Sequence, residues 1–271
     1  MDTREKRHLK GRKRASETTL SNETQLELKK DIGTMLKSDR IEKILTETLP
    51  SFQLIDTETE NLGMGHIYYG LTRVMRPKNV VVVGSKKGFS VICIASALMD
   101  NKGSGIKHIA CYETEMITSE RAMLHFVDPS YSIERSDENH MYGIGFWDSP
   151  KRVETWWERF GVSDVVTHFK MRSDEYAASS HCPNKLDMVL LDGDHDPDAI
   201  LADIERFSAR MDAGGIILAH DVHPDFPMGG GDAYDRLDDS LYEKLLIPVF
   251  PGLGIIRKRG KDMPQPSVDF T

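Results

Sequence analysis

The feature that most constrains the fold is a series of short, β-branched apolar runs. Each ends at a glycine or an acid, and helix-length segments separate them. NVVVVG (79–84) is nearly continuous in valine, as in a strand buried on both faces of a parallel sheet. LHFVD (124–128), VVTHFKM (165–171), LDMVLLD (186–192) and GGIILAHD (214–221) repeat the theme. Between them, helices are predicted over 88–99, 149–160, 173–180 and 197–211; the second carries Pro150 in its first turn and the last has an Ile200, Leu201, Ile204, Phe207, Met211 stripe. Strands separated by helices build right-handed βαβ units, hence an α/β, doubly wound, mostly parallel sheet. After Asp221 a helix is predicted over 233–245. LIPVF and LGIIRKR then follow, joined by the tight PGLG reversal of an antiparallel hairpin. IKHIACYE (106–113) also reads as a strand and competes with LHFVD for second place.

The flanks are helical or charged. Residues 17–49 read as helix, with Asn22 as N-cap and Gln25 as its capping-box partner, and 61–76 as a helix closed by Pro77. The expected organisation is a basic tail over 1–16, a helical extension over 17–60, the sheet domain over 61–260 and a tail over 261–271. The formal charge is −8, yet residues 1–16 hold seven basic residues against two acidic ones. The remaining body therefore carries −13, which disfavours nucleic-acid binding. No apolar run approaches the ~20 residues of a membrane span. Three cysteines without C-x-x-C argue against a disulfide framework and for a reducing, cytoplasmic setting. A homo-oligomer is compatible with this composition.

In open α/β sheets, ligands bind beyond the carboxyl ends of the strands. The turn GSKKGFS (84–90) follows the first strand, and Gly84 and Gly88 allow close backbone approach. It is not G-x-G-x-x-G, which disfavours a nicotinamide-dependent oxidoreductase. A ribose-binding acid is expected at the end of the second strand. Glu113 has the more usual spacing from Gly84; Asp128 is the other candidate. The densest group is LLDGDHD (190–196) with LAHDVH (218–223), which sets Asp192, Asp194, His195, His220, Asp221 and His223 at the ends of consecutive strands. Carboxylates converging from two strands suit Mg²⁺ or another divalent metal, and an imidazole beside them suits proton abstraction. The structural alternatives are Asp194 as a helix cap and His220 as a packed strand residue.

GMGHIYYGLTRVMRPKNVVVVGSKKGFS, FVDPSYS followed by GFWDSPKRVETWWERFGV, LDMVLLDGDHDPDAILADI and AGGIILAHDV together resemble class I S-adenosylmethionine-dependent methyltransferases. The nearest likeness is to the group that includes macrolide-sugar O-methyltransferases. The resemblance implies a Rossmann-like, seven-stranded sheet with an antiparallel last strand. It implies cofactor contacts at Gly63, Gly65, Gly84, Ser85, Gly88, Asp128, Ser173 and Asp192, with Asp128 as ribose binder and 106–120 as an insertion. It implies metal ligands at Asp192, Asp221 and His220, and His195 as catalytic base. Three positions depart from the family pattern. Val82 stands where an acid is usual, Lys86 where a glycine is, and His220 where the first acid of a pair is; imidazole is a poorer magnesium ligand than carboxylate. The expected activity is methyl transfer to the hydroxyl of a small molecule. The alternative is a noncatalytic relative serving as an interaction module.

Overall fold

The computed structural model describes residues 38–48, 55–102, 122–130 and 145–260. The basic tail, the Asn22 cap, Glu113 with its strand, and residues 261–271 lie outside the described residues. In chain order the elements are α1 (Ser38–Thr48), α2 (Met64–Met75), β1 (Asn79–Val83), α3 (Phe89–Lys102), β2 (Met123–Val127), α4 (Pro150–Arg159), β3 (Val166–Phe169), α5 (Ser173–Ala178), β4 (Leu186–Leu191), α6 (Pro197–Ser208), β5 (Met211–His220), α7 (Gly230–Asp235), β6 (Tyr242–Ile247) and β7 (Leu253–Lys258). The sheet order is β3-β2-β1-β4-β5-β7-β6. β1 to β5 are parallel, and β7 runs antiparallel to both β5 and β6.

The valine run forms the sheet centre, and its alternation feeds two cores. Val80 and Val82 join Leu124, Phe126 and Leu190 on one face; Val81 and Val83 join Val127, Val189 and Ile217 on the other. α3 is apolar nearly all round and buries most of its length, as a helix packed on several sides must. α4 starts at Ser149, whose hydroxyl accepts from the Arg152 amide, and buries Trp157. That indole stacks on Trp147 with centroids 4.9 Å apart. α6 is capped by Asp196, which accepts from the Asp198 and Ala199 amides, so Asp196 rather than Asp194 is the cap. Asp194 instead accepts from the Asp196 amide.

The helix expected over 197–211 stops at Ser208, and Met211 instead opens β5 by pairing with Leu186; the helix expected over 233–245 is corrected too. The helical turn is shorter and earlier, at α7, and Tyr242–Ile247 is a strand. Its residues pair from Tyr242↔Lys258 to Ile247↔Leu253, and this ladder outweighs the local helical period. Among the described residues no helix is long and apolar enough to cross a membrane.

Candidate active site

The site is assembled where β2, β1, β4 and β5 end side by side. The Asp128 amide donates to the Phe169 carbonyl, the Gly84 amide to Val127 and the Asp192 amide to Val83. Each strand end is thereby tied to its neighbour, so the chemistry-bearing residues fall in a row.

Gly84 has φ +70°, and a Cβ there would lie 2.2 Å from the Asp192 carbonyl oxygen. Only glycine lets the first turn pass this close to the end of β4. Ser85 is buried, with its hydroxyl 2.9 Å from that of Ser90. Asp128 accepts from the Ser130 amide at 2.7 Å and from the Ser85 amide, joining the ends of β1 and β2. Burial raises its pKa to about 6, against the opposing effect of those two amides. A half-buried acid beside a glycine turn could accept hydrogen bonds from the ribose hydroxyls of a nucleoside. Gly88 and Gly65 also have packing reasons: a Cβ would lie 3.0 Å from the Trp157 ring at the first and 2.8 Å from the Phe89 ring at the second. Gly63 precedes α2 and lines a cavity of about 200 Å³ with Asn61, Met64, Ile67, Ile247 and Val249. Ser173 opens α5, and its hydroxyl bonds Asp203 on α6.

The ends of β4 and β5 carry the titratable cluster. His195 Nε2 lies 2.7 Å from Asp221 Oδ2. His220 Nδ1 lies 2.7 Å from Asp221 Oδ1 and 3.2 Å from Asp192 Oδ1. Asp221 adopts φ +61°, which aims its carboxylate back at both imidazoles; Asp tolerates this region better than most residues. The 229–231 turn presses on it, since a Cβ on Gly230 would meet the Asp221 carbonyl at 2.3 Å. Burial works to raise the Asp221 pKa, but the facing imidazoles of His195 and His220 outweigh it and hold the carboxyl below its ordinary range. Burial works to lower both histidines, but the facing carboxylates prevail. His195 is raised, and His220 is pushed up to about 10 by Asp192 and Asp221. The contact of Asp221 with His195 is not legible in the sequence, where the one signal is an acid ending a strand just before a Gly/Pro-rich turn.

Asp192, His195 and Asp221 bring one donor atom each within 4.8 Å of one another, a spacing a cation could bridge. With His220 the set is two carboxylates and two imidazoles, not the oxygen cage magnesium takes. The gap between the carboxylates holds His220 Nδ1. The residues present do not fit a magnesium ion.

A family model described as a methyltransferase domain matches residues 81–222, just over half of the chain. No curated protein matches. Among solved structures, the SAH-bound Podospora anserina methyltransferase PaMTH1 is 17% identical, with 91% of this chain and 100% of that one covered and a TM-score of 0.53. The O-methyltransferase TomG from Streptomyces achromogenes, involved in tomaymycin synthesis and in complex with SAM, is 13% identical over 88% and 97% of the two chains, with a TM-score of 0.51. An O-methyltransferase from Bacillus cereus in complex with SAH is 14% identical over 86% and 96%, with a TM-score of 0.52. At these identities the likeness is one of fold. The strand order, the antiparallel β7 and the family match converge: this chain belongs to the methyltransferase-domain family and is a class I S-adenosylmethionine-dependent methyltransferase.

Proposed function

We propose that the protein methylates a hydroxyl of a small molecule, with His195 as general base and S-adenosylmethionine as methyl donor. The observation that carries this reading is the His195–Asp221 pair at 2.7 Å, set at the carboxyl ends of adjacent strands. Asp221 accepts from Nε2–H, so it fixes the tautomer and leaves Nδ1 to take a proton. Nδ1 has no hydrogen-bond partner among the described residues, and the side chain is 27% exposed, open to an acceptor.

Gly84, Ser85 and Asp128 would hold the donor's nucleoside at the ends of β1 and β2. When bound, S-adenosylmethionine supplies an electrophilic methyl on a sulfonium sulfur. The acceptor hydroxyl would lose its proton to His195 Nδ1 as its oxygen takes the methyl, the carbon–sulfur bond breaking with its electron pair kept by sulfur, which leaves as a neutral thioether; Asp221 would stabilise the imidazolium formed. A base raised towards neutral pH suits this task. Binding the two reactants in line supplies much of the remaining acceleration.

The test is transfer of a labelled methyl from S-adenosylmethionine to a panel of hydroxylated acceptors. His195→Gln is expected to lower kcat by about 10²- to 10⁴-fold while donor affinity is kept. Wild-type turnover in that variant would remove His195 as the base.

A further inference from the structure

His220 ends β5, and its side chain is 5% exposed. It stands where the resembled family has the first acid of a metal-binding pair. Two carboxylates facing each other in a half-buried site repel unless something donates to both. In this chain an imidazole nitrogen stands within ion-pair distance of both: His220 Nδ1 lies 2.7 Å from Asp221 Oδ1 and 3.2 Å from Asp192 Oδ1. Asp221 Oδ2 is engaged by His195, so both oxygens of Asp221 face imidazole nitrogens. A divalent ion bound at about 2.1 Å to both acids would have to take the place of this N–H. The histidine is anchored from behind, because β5 pairs His220 with Leu253 of β7, and Leu253 is fully buried.

We infer that His220 replaces the divalent cation of the resembled enzymes. It bridges Asp192 and Asp221, holds Asp221 where it orients His195, and makes the site independent of added metal. His220 is in this sense a positioning residue. The metal claim concerns the protein alone; only its activity arm rests on the methyltransferase reading above.

The test is a calorimetric titration of the full chain, freed of metal, with Mn²⁺ alone. The wild type is expected to bind no stoichiometric Mn²⁺ at submillimolar concentration. His220→Glu, which opens the gap and adds a third carboxylate, is expected to gain one Mn²⁺ site at least 10-fold tighter than anything in the wild type. His220→Asp is the second variant should the first not fold, and circular dichroism identifies the folded one. In the activity arm, chelation followed by Mg²⁺ is expected to change wild-type methyl transfer less than 2-fold. The inference is overturned if the wild type binds one Mn²⁺ or Zn²⁺ and Asp192→Asn abolishes it, since His220 is then itself a metal ligand. A folded His220→Glu or His220→Asp that binds no Mn²⁺ also overturns it, as does a 10-fold loss on chelation restored by the ion. Failure of every acceptor to be methylated would strike the proposed function and leave the titration to decide the metal question.

Discussion

At the residue scale, His195, His220 and Asp221 make separable demands on pH. His195 must be neutral to accept a proton, and its pKa is raised above its ordinary 6.5. kcat/KM is therefore expected to fall on the acid side through an apparent pKa above 6.5. In Asp221→Asn the facing charge is gone, so that limb should move to lower pH as overall turnover drops; a limb that stays in place would separate the two residues functionally. Stability runs the other way. His220 has a folded pKa of about 10 against 6.5 when free, so its contribution is complete below 6.5 and lost as pH rises through 10. Chemical denaturation at pH 7 and pH 10 should show a larger loss in the wild type than in His220→Gln, which has no such titration. Gly84 is a backbone case. Gly84→Ala faces about 1–3 kcal/mol from the positive φ alone. The clash with the Asp192 carbonyl adds to it, and a denaturation midpoint within error of wild type would refute the close approach of β1 and β4.

At the element scale, strands and helices differ in how openly the sequence declares them. β1 is announced by four valines that pair on both sides, and β4 and β5 by apolar runs that stop at acids; β1 and β4 are where the periodicity puts them, while β5 starts three residues early, at Met211. β6 is not, because its pattern suits helix or strand equally and the choice is made by β7, a partner met later in the chain. The site divides in the same way. That Asp192, His195, His220 and Asp221 share one end of neighbouring strands follows from strand order. That His220 turns its Nδ1 between two carboxylates, and that Asp221 uses one oxygen for each imidazole, depends on a φ of +61° and on packing by the 229–231 turn, which no spacing rule contains. The Trp147–Trp157 stack, drawn from a loop and from α4, was also unreadable locally. The antiparallel end of the sheet gives a sharp contrast to measure. Ile256 of β7 is fully buried and Leu245 of β6 is 59% exposed. Ile256→Ala is expected to cost about 2–5 kcal/mol. Leu245→Ala is expected to stay within about 0.5 kcal/mol. Equal effects in equilibrium unfolding would contradict the placement of β7 inside the sheet and β6 at its edge.

At the scale of the whole molecule, the fold sets the proposed donor cradle and the proposed base along one edge of a single sheet. Gly84, Ser85 and Asp128 lie at the ends of β1 and β2, and His195 and Asp221 at the ends of β4 and β5. A ligand bound at the cradle must also stabilise the whole fold by mass action, by about 2.7 kcal/mol at one hundred times its Kd. The most direct measurement is a calorimetric titration of S-adenosylmethionine into the purified, metal-free protein, beside Asp128→Ala. Saturable one-site binding in the wild type, weakened at least 10-fold in the variant, is the predicted result. Absence of binding at millimolar S-adenosylmethionine, or equal affinity in Asp128→Ala, would contradict the account.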